Sequence, residues 1–438
     1  MSARRGSLTL TRLFVKGALP GDLRQRFLKA VRLRAFQPLK PDDEAVEASG
    51  WCVLERPFDL EFHTDNLYED SFLVLGFRID RFRVPGAMVR ALLADEEQRL
   101  LAKTGKNRLS RNERLELKDK IVLKLRRKLT PSTKAIDVVW DLDGGTVMFF
   151  SHSRRVLLDF SALFEKTFGL ELVEDSPYVA AERLKLPARL LSAIERVEPV
   201  RLAGAASEPV KRREESSAVA KAKAKADQDE HEVVEDEEPG DELFQRIEST
   251  RFLGPEFLLW VWLRNEFLQA PLELGDAGEY QVWIDQQLTL ESALDKNERV
   301  TIRGVAPADG DEAREAVRSR KFPVRARVVL HGEERESVFG LVAPRFAIAG
   351  GVVPSVPNQD PSEAFLERMA LAQRLFTLVD RLYGSFLADR LSESWKLAWE
   401  PAIGAWLEGS SVPAPVLQRL VPASASAGER PRKRRKGA

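Results

Sequence analysis

The stretch Phe72-Leu-Val-Leu-Gly-Phe-Arg-Ile79 is a short and almost continuously apolar run. Its apolar residues show no helical period, and a run of this length without one predicts a buried strand. Downstream, Pro85 occupies a favoured first-turn position, so a helix is predicted from there to about Lys103. A buried strand followed by a helix indicates a globular domain that combines both kinds of element.

A second helix is predicted directly after the first. Ser110-Arg-Asn-Glu113 has the spacing of a capping box, and this helix should end near Leu129, before Pro131. Strands over residues 135–140 and 146–150 then flank the turn Asp141-Leu-Asp-Gly-Gly145. With a strand at 8–15 and helices at 23–33 and 158–168, these elements predict an N-terminal α+β half over residues 7–185.

Residues 206–242 differ sharply in composition from the sequence before them. They are rich in Glu, Lys, Ala and Ser, and ten acidic residues lie between Asp227 and Glu242. A segment with so few large apolar side chains does not offset its ordering entropy, so a disordered charged linker is predicted. An alternative role for the acidic run is competition with phosphates for a basic surface elsewhere in the chain.

Residues 243–409 return to a globular pattern and predict a C-terminal α+β half. A helix with Phe257, Trp260 and Leu263 is followed by strands at 280–290, 298–304, 323–331 and 336–342, and by helices at 362–391 and 392–408. The first long helix carries an apolar stripe that predicts core or a subunit interface: Phe365, Met369, Ala372, Phe376, Val379 and Tyr383. Residues 410–438 are predicted as a disordered basic tail, in which Arg430–Lys436 adds non-specific phosphate contacts.

The overall composition restricts the class of protein more than the function. Lys+Arg and Asp+Glu each number 68, so the net charge gives no indication of partners. A lone cysteine, Cys52, excludes an internal disulfide framework and fits a reducing compartment. No signal peptide is recognisable, and the longest apolar run, Phe257–Leu263, is too short to span a bilayer. A cytoplasmic protein without membrane contact is expected.

The distribution of charge is more informative. Residues 103–134 hold twelve basic side chains against Glu113, Glu116 and Asp119. On the second helix, Lys120, Lys124 and Arg127 have the spacing of one face, next to the apolar stripe Leu117, Ile121, Leu125 and Leu129. Stacked cations repel one another, and backbone phosphates relieve that repulsion. The residues predicted to bind DNA are Lys106, Arg108, Arg111, Arg114, Lys118, Lys120, Lys124, Arg126, Arg127 and Lys128.

Nothing in this stretch matches a module that reads base edges, so contact with the DNA backbone, independent of sequence, is expected. Two alternatives remain open. One is a metal-dependent nuclease that would use Asp137, Asp141 and Asp143, although Asp residues around a Gly-Gly turn are favoured for the turn itself. The other is an interaction scaffold whose basic helix binds an acidic protein.

No catalytic, cofactor or metal site is predicted. The four histidines, His63, His152, His231 and His331, lack metal-ligand spacing, and no phosphate-binding loop or nucleophile elbow is present. Cys52, Trp260 and Trp262 are interpreted as core residues. We therefore expect a protein that is not an enzyme.

The first half resembles the bacterial recombination-associated protein RdgC family. The resemblance runs through Ala35-Phe-Gln-Pro-Leu39, Gly50-Trp51, the helix at 84–93, residues 106–120 and Val139-Trp-Asp-Leu-Asp-Gly-Gly145, in matching order over about 7–180. The second half matches more loosely, at residues 288–304 and 322–348. The chain departs from the family in its longer linker and tail, and the segment 129–134 lacks the aromatic residue associated with the family's DNA-facing tip.

The resemblance implies an elongated, horseshoe-like α+β subunit with mixed sheets and helices. It also implies a homodimer that closes into a ring around double-stranded DNA, with a basic inner surface. In this family, DNA binding restrains the recombinase during homologous recombination. A nucleoid-associated protein of the cytoplasm is therefore expected, with the basic helix on the DNA side.

Overall fold

The computed structural model describes residues 2–43, 45–184, 186, 188–200, 242–292, 298–333, 335–353 and 360–420. Most of the predicted linker, residues 206–241, lies outside the described residues. So does the part of the predicted tail that holds the basic cluster at 430–436. The described chain is α+β, as predicted, and forms two compact units. The first comprises Met1–Asp175 with Ala347–Gln373, and the second comprises Ser176–Phe346 with Arg374–Ala438.

The described residues contain thirteen strands. They are β1 (Leu8–Lys16), β2 (Glu47–Cys52), β3 (Tyr68–Glu69), β4 (Phe72–Arg81), β5 (Ser132–Asp141), β6 (Thr146–Phe149), β7 (Glu171–Glu174), β8 (Leu272–Glu273), β9 (Glu279–Ser292), β10 (Arg299–Gly304), β11 (Lys321–Gly332), β12 (Glu336–Val342) and β13 (Ala347–Gly351). Within each unit these strands pair antiparallel, so the sheets are antiparallel and not mixed.

The helices in the described ranges are α1 (Leu23–Leu33), α2 (Thr64–Leu67), α3 (Gly86–Thr104), α4 (Arg111–Arg126), α5 (Arg154–Phe168), α6 (Pro177–Arg183), α7 (Ala188–Ile194), α8 (Glu242–Ser249), α9 (Leu253–Leu268), α10 (Asp311–Arg318), α11 (Pro361–Arg390), α12 (Glu400–Glu408) and α13 (Ala414–Leu420). A π-helix occupies Trp395–Trp399, and short 3₁₀ turns occupy Gly275–Ala277 and Ala343–Arg345.

The sheet of the first unit has the order β13-β1-β6-β5-β4-β2, with β3 paired to β4 and β7 paired to β1. The apolar strand β4 is buried on both faces, as its sequence predicts. On one face, Phe77 contacts Phe160 of α5, with ring centroids 5.8 Å apart. On the other, Phe72 meets Phe365 of α11 edge to face at 5.9 Å. Helices therefore cover both sides of this strand, which explains its continuous hydrophobicity.

The sheet of the second unit has the order β10-β9-β11-β12, with β8 paired to β9. Its central helix is α9, in which every residue from Phe257 to Leu263 is at most 3% exposed. Phe257 packs against Phe346, Tyr383 and Phe386 at centroid distances of 5.3 to 5.9 Å. A helix that is apolar all round requires partners on every side, and α9 has them.

The predicted apolar stripe of α11 belongs to the core. Its six residues, from Phe365 to Tyr383, are at most 6% exposed. Of the two interpretations left open by the sequence, core packing is thus the one observed. The stripe is not available as a subunit interface.

The two units do not coincide with the predicted halves 7–185 and 243–409. Strand β13, which the sequence did not reveal, pairs with β1, with Leu10 opposite Ile348, and this places residues 347–373 in the first unit. The second predicted long helix, 392–408, is present from residue 393 to 408, with a π-helical segment at Trp395–Trp399 that leads into α12. In the predicted tail, residues 414–420 form α13.

Candidate nucleic-acid interface

Two helices, α3 and α4, form a hairpin between neighbouring strands. The pairing of β4 with β5 ends with Arg81 opposite Ser132, and residues 82–131 form the connection between these two positions. Helix α3 begins after Pro85 and ends at Gly105, whose φ of 66° suits glycine at a helix C-terminus. Helix α4 runs back along α3, since Glu97 contacts Arg114 near the tip and Val89 packs with Leu125 at the base.

The predicted capping box starts α4. The Glu113 N–H donates to the Ser110 hydroxyl at 3.2 Å, and the Ser110 N–H donates to the Glu113 carboxylate at 2.8 Å. The hydrogen bond from Lys106, followed by those from Ser110, lowers the pKa of Glu113 to about 2. The carboxylate is therefore ionised at neutral pH, and its negative charge interacts favourably with the positive N-terminal end of the α4 macrodipole.

The hairpin has a small apolar cluster of its own. Val89, Ile121 and Leu125 are buried in it. Partly buried residues complete it: Val84, Leu92, Leu93, Leu117 and Val122. The predicted apolar stripe of α4 thus holds α4 to α3, and much of the remaining surface of both helices faces solvent.

Nine of the ten predicted DNA-binding residues are exposed. Lys106 lies at the tip of the hairpin, and the other eight residues fall into two sets. The groove set lines a groove of about 550 Å³ with the apolar residues Leu93, Leu109 and Leu115, and it comprises Arg108, Arg111, Arg114 and Lys118. The outer set comprises Lys120, Lys124, Arg127 and Lys128. The structure therefore brings the predicted residues together on one hairpin, on more than one of its faces.

Arg126 is the exception, because it is only 6% exposed. Its guanidinium donates from Nη2 to the Ala45 carbonyl at 2.6 Å and lies 5.0 Å from the centre of the Phe82 ring. The prediction that Arg126 belongs to an exposed basic surface is corrected by this geometry. The side chain ties the base of the hairpin to the body of the first unit instead.

Three of the nine exposed residues form ion pairs within the chain. Lys106 lies 2.6 Å from Glu113, Arg114 lies 3.4 Å from Glu97, and Arg127 lies 2.8 Å from Asp42. Exposed pairs of this kind contribute little to stability, so a polyanion can compete for these cations. The other six have no ion-pair partner among the described residues: Arg108, Arg111, Lys118, Lys120, Lys124 and Lys128.

Sequence reasoning omitted three exposed arginines of the hairpin, Arg83, Arg90 and Arg99. All three precede Lys103, where the basic stretch was taken to begin. A count over the whole connection between the two strands would have included them. That connection becomes visible only once β4 and β5 are known to be neighbours.

Of the three carboxylates considered for a nuclease, those of Asp137 and Asp141 have structural roles, and Asp143 is exposed. One Asp141 oxygen accepts the N–H groups of Asp143 and Gly144, and the other accepts the side chain of Gln373 at 2.8 Å. Asp137 accepts the Ala3 N–H at 2.7 Å, and burial raises the pKa of its carboxyl group. No group of three or more potential metal ligands was found in the residues that the structure describes.

The remaining residues considered at the sequence level are placed as follows. Burial raises the pKa of the Cys52 thiol to about 12. Trp260 donates to Asp389 at 2.9 Å, and Trp262 is 3% exposed, so both indoles belong to the core. His152 contacts two backbone carbonyls through Nε2, and His331 lies 3.4 Å from Glu336. His63 precedes α2, and His231 lies outside the described residues.

No protein-family model matches the chain, and a search of the curated proteins found no match. Among the described helices, none combines the length and apolarity needed to cross a membrane.

Proposed function

We propose that the protein binds double-stranded DNA without reading its sequence, through the exposed cations of the α3–α4 hairpin. The observation that carries the proposal is the group of six exposed basic side chains without an ion-pair partner in the described residues. Their charge is concentrated on one helical hairpin, where mutual repulsion favours an anionic partner. The resemblance to the RdgC family points the same way.

The dimensions of α4 suit this role. A helix of 16 residues is about 24 Å long, and duplex DNA presents about 14 negative charges over that length. Each cation that neutralises a phosphate releases condensed counterions, which makes affinity fall steeply with salt. Lysine and arginine contacts to phosphate fix position and carry no sequence information, so similar affinities for unrelated duplexes are expected.

Further parts of the proposal rest on the resemblance alone. They are a horseshoe-shaped subunit, a homodimer that closes into a ring around DNA, restraint of the recombinase, and association with the nucleoid in the cytoplasm. Because the apolar stripe of α11 is buried, a dimer requires another surface. The protein is proposed to act without catalysis, cofactor or metal.

The test measures the affinity of two unrelated duplexes over a series of salt concentrations by fluorescence anisotropy. The first variant, K120A/K124A/K128A, removes three unpaired lysines of the outer set and leaves Arg127 with Asp42. If three phosphate contacts are lost, the slope of log K against log[salt] becomes shallower by about 2.7. A second variant, R108A/R111A/K118A, tests the groove set in the same way.

The matched control is R26A/K29A/R34A, which removes three exposed cations of the first unit outside the hairpin. It should bind DNA with the wild-type salt slope. Wild-type affinity and slope in both hairpin variants would refute the proposed interface. A large difference between the two duplexes would refute binding that is independent of sequence.

A further inference from the structure

The second unit contains a cleft of about 670 Å³ that the proposed DNA interface does not use. Helix α7 and the residues after it form one side, and the end of α11 with the start of the π-helix forms the other. Three exposed cations line it, Arg189, Arg196 and Lys396, against a single lining carboxylate, Glu393. Within the described residues, none of the three cations has an ion-pair partner. The cleft therefore favours an anionic ligand.

A buried aromatic residue also lines the cleft. Trp395 is 3% exposed, and its ring contributes to the wall between the exposed cations. The ring is held in place by Arg390, whose guanidinium lies 4.9 Å from the ring centre and donates to Glu256 at 2.8 Å.

Apolar side chains form the rest of the lining: Ala193, Val197 and Leu391. Exposed cations and apolar groups beside the Trp395 ring suit a peptide that has both carboxylates and small apolar side chains. The acidic run of this chain has that composition. Residues 227–241 contain nine Asp or Glu residues, and the pair Val233-Val234 lies among them.

The attachment points of that run are close to the cleft. Residue 241 precedes α8, where Arg246 lies 3.4 Å from Glu195 and 3.2 Å from the Tyr178 hydroxyl. Glu195 directly precedes Arg196 of the cleft. On the other side, the Val200 N–H donates to Glu256, which also holds Arg390. Tethering a segment beside its binding site gives effective concentrations in the millimolar range for short linkers.

We infer that the cleft between α7 and the π-helix binds the chain's own acidic stretch, residues 227–241. Its carboxylates pair with Arg189, Arg196 and Lys396, and Val233-Val234 lies against the apolar lining beside Trp395. This inference does not depend on DNA binding. It assigns to the acidic run a partner within the second unit.

The test uses a fluorescein-labelled synthetic peptide of residues 227–241 and full-length protein. The receptor carries Asp→Asn and Glu→Gln at the nine acidic positions of 227–241, so that its own segment no longer competes. This receptor should bind the peptide at low salt at least tenfold more tightly than wild-type protein does. Adding R189A/R196A/K396A should weaken peptide binding at least tenfold, whereas adding R26A/K29A/R34A should leave it unchanged.

Circular dichroism and the unfolding midpoint of each variant establish that its fold is retained. A peptide with Val233→Ser and Val234→Ser should bind more weakly if the apolar lining is used. Equal binding to the receptor with and without the cleft substitutions would overturn the inference. The inference would also be overturned if K120A/K124A/K128A, and not the cleft variant, abolished peptide binding. The acidic run would then bind the hairpin. Since no DNA is present, these results are independent of the duplex measurements.

Discussion

Removing the Ile121 side chain beyond Cβ tests whether the α3–α4 hairpin is a separately stabilised part of the first unit. Ile121 is 5% exposed and belongs to a cluster of three buried residues, Val89, Ile121 and Leu125. Truncation of a large aliphatic residue in a core costs about 2–5 kcal/mol. The cluster is small and the residues packed against it are only partly buried, so Ile121→Ala should cost about 2 kcal/mol.

Because this cluster holds α3 to α4, the loss should appear mainly as local opening of the hairpin. A loss of about 2 kcal/mol corresponds to roughly 30-fold faster amide exchange wherever local opening governs exchange. Hydrogen exchange followed by mass spectrometry should show this acceleration in peptides from residues 86–126. Peptides from β4, β5 and the second unit should be unchanged.

The matched control is Leu115→Ala on the same helix, since Leu115 is 49% exposed. An exposed truncation usually changes stability by no more than about 0.5 kcal/mol. Equal acceleration in the Ile121 and Leu115 variants would refute the burial argument. Uniform acceleration across both units would refute the view that the hairpin opens on its own.

Three further predictions concern buried and acidic groups. Burial raises the pKa of Asp137 above its ordinary value of 3.8, so the native state keeps this proton to higher pH than the unfolded state. The unfolding free energy should therefore fall as pH rises from about 4. Asp137→Asn removes the titratable proton, so it should flatten that dependence in urea titrations. The amide oxygen of the new Asn side chain can still accept the Ala3 N–H. Incubation with Mg²⁺ or Mn²⁺ should leave duplex DNA intact on gels; cleavage lost in a folded D141N/D143N variant would contradict this. Cys52, with its pKa raised to about 12, should react with a thiol reagent only at the rate of unfolding.

Local signals in the sequence were sufficient for many elements. Helix α1 has the predicted bounds, Leu23–Leu33, and α4 starts with the predicted capping box at Ser110. Strand β4 follows from its apolar run. In each case the information lies within a few consecutive residues, because caps and hydrophobic periodicity are properties of neighbours in the chain.

Elements that depend on distant partners were not predicted. Strand β13, Ala347–Gly351, contains two glycines and pairs with β1, more than 300 residues away. Strand β2 contains Gly50, where a side chain would meet the Phe36 backbone at 2.5 Å. Glycine weakens the local strand signal, yet here it allows the close approach that the fold requires. Only the tertiary structure shows why these segments are strands.

The same distinction explains the outcome for Arg126. Counting charges along α4 treats every Lys and Arg alike, but their surroundings differ. Arg126 meets a carbonyl 81 residues earlier in the chain, Arg127 meets Asp42, and Lys124 is exposed without an ion-pair partner in the described residues. A phosphate can displace an exposed carboxylate at little cost, whereas drawing Arg126 out would break its hydrogen bond to the Ala45 carbonyl and remove the packing on Phe82. The number of cations that a phosphate backbone can engage is therefore set by the partners of each side chain. The change in salt slope of each hairpin variant, relative to wild type, measures how many of its substituted cations contact phosphate.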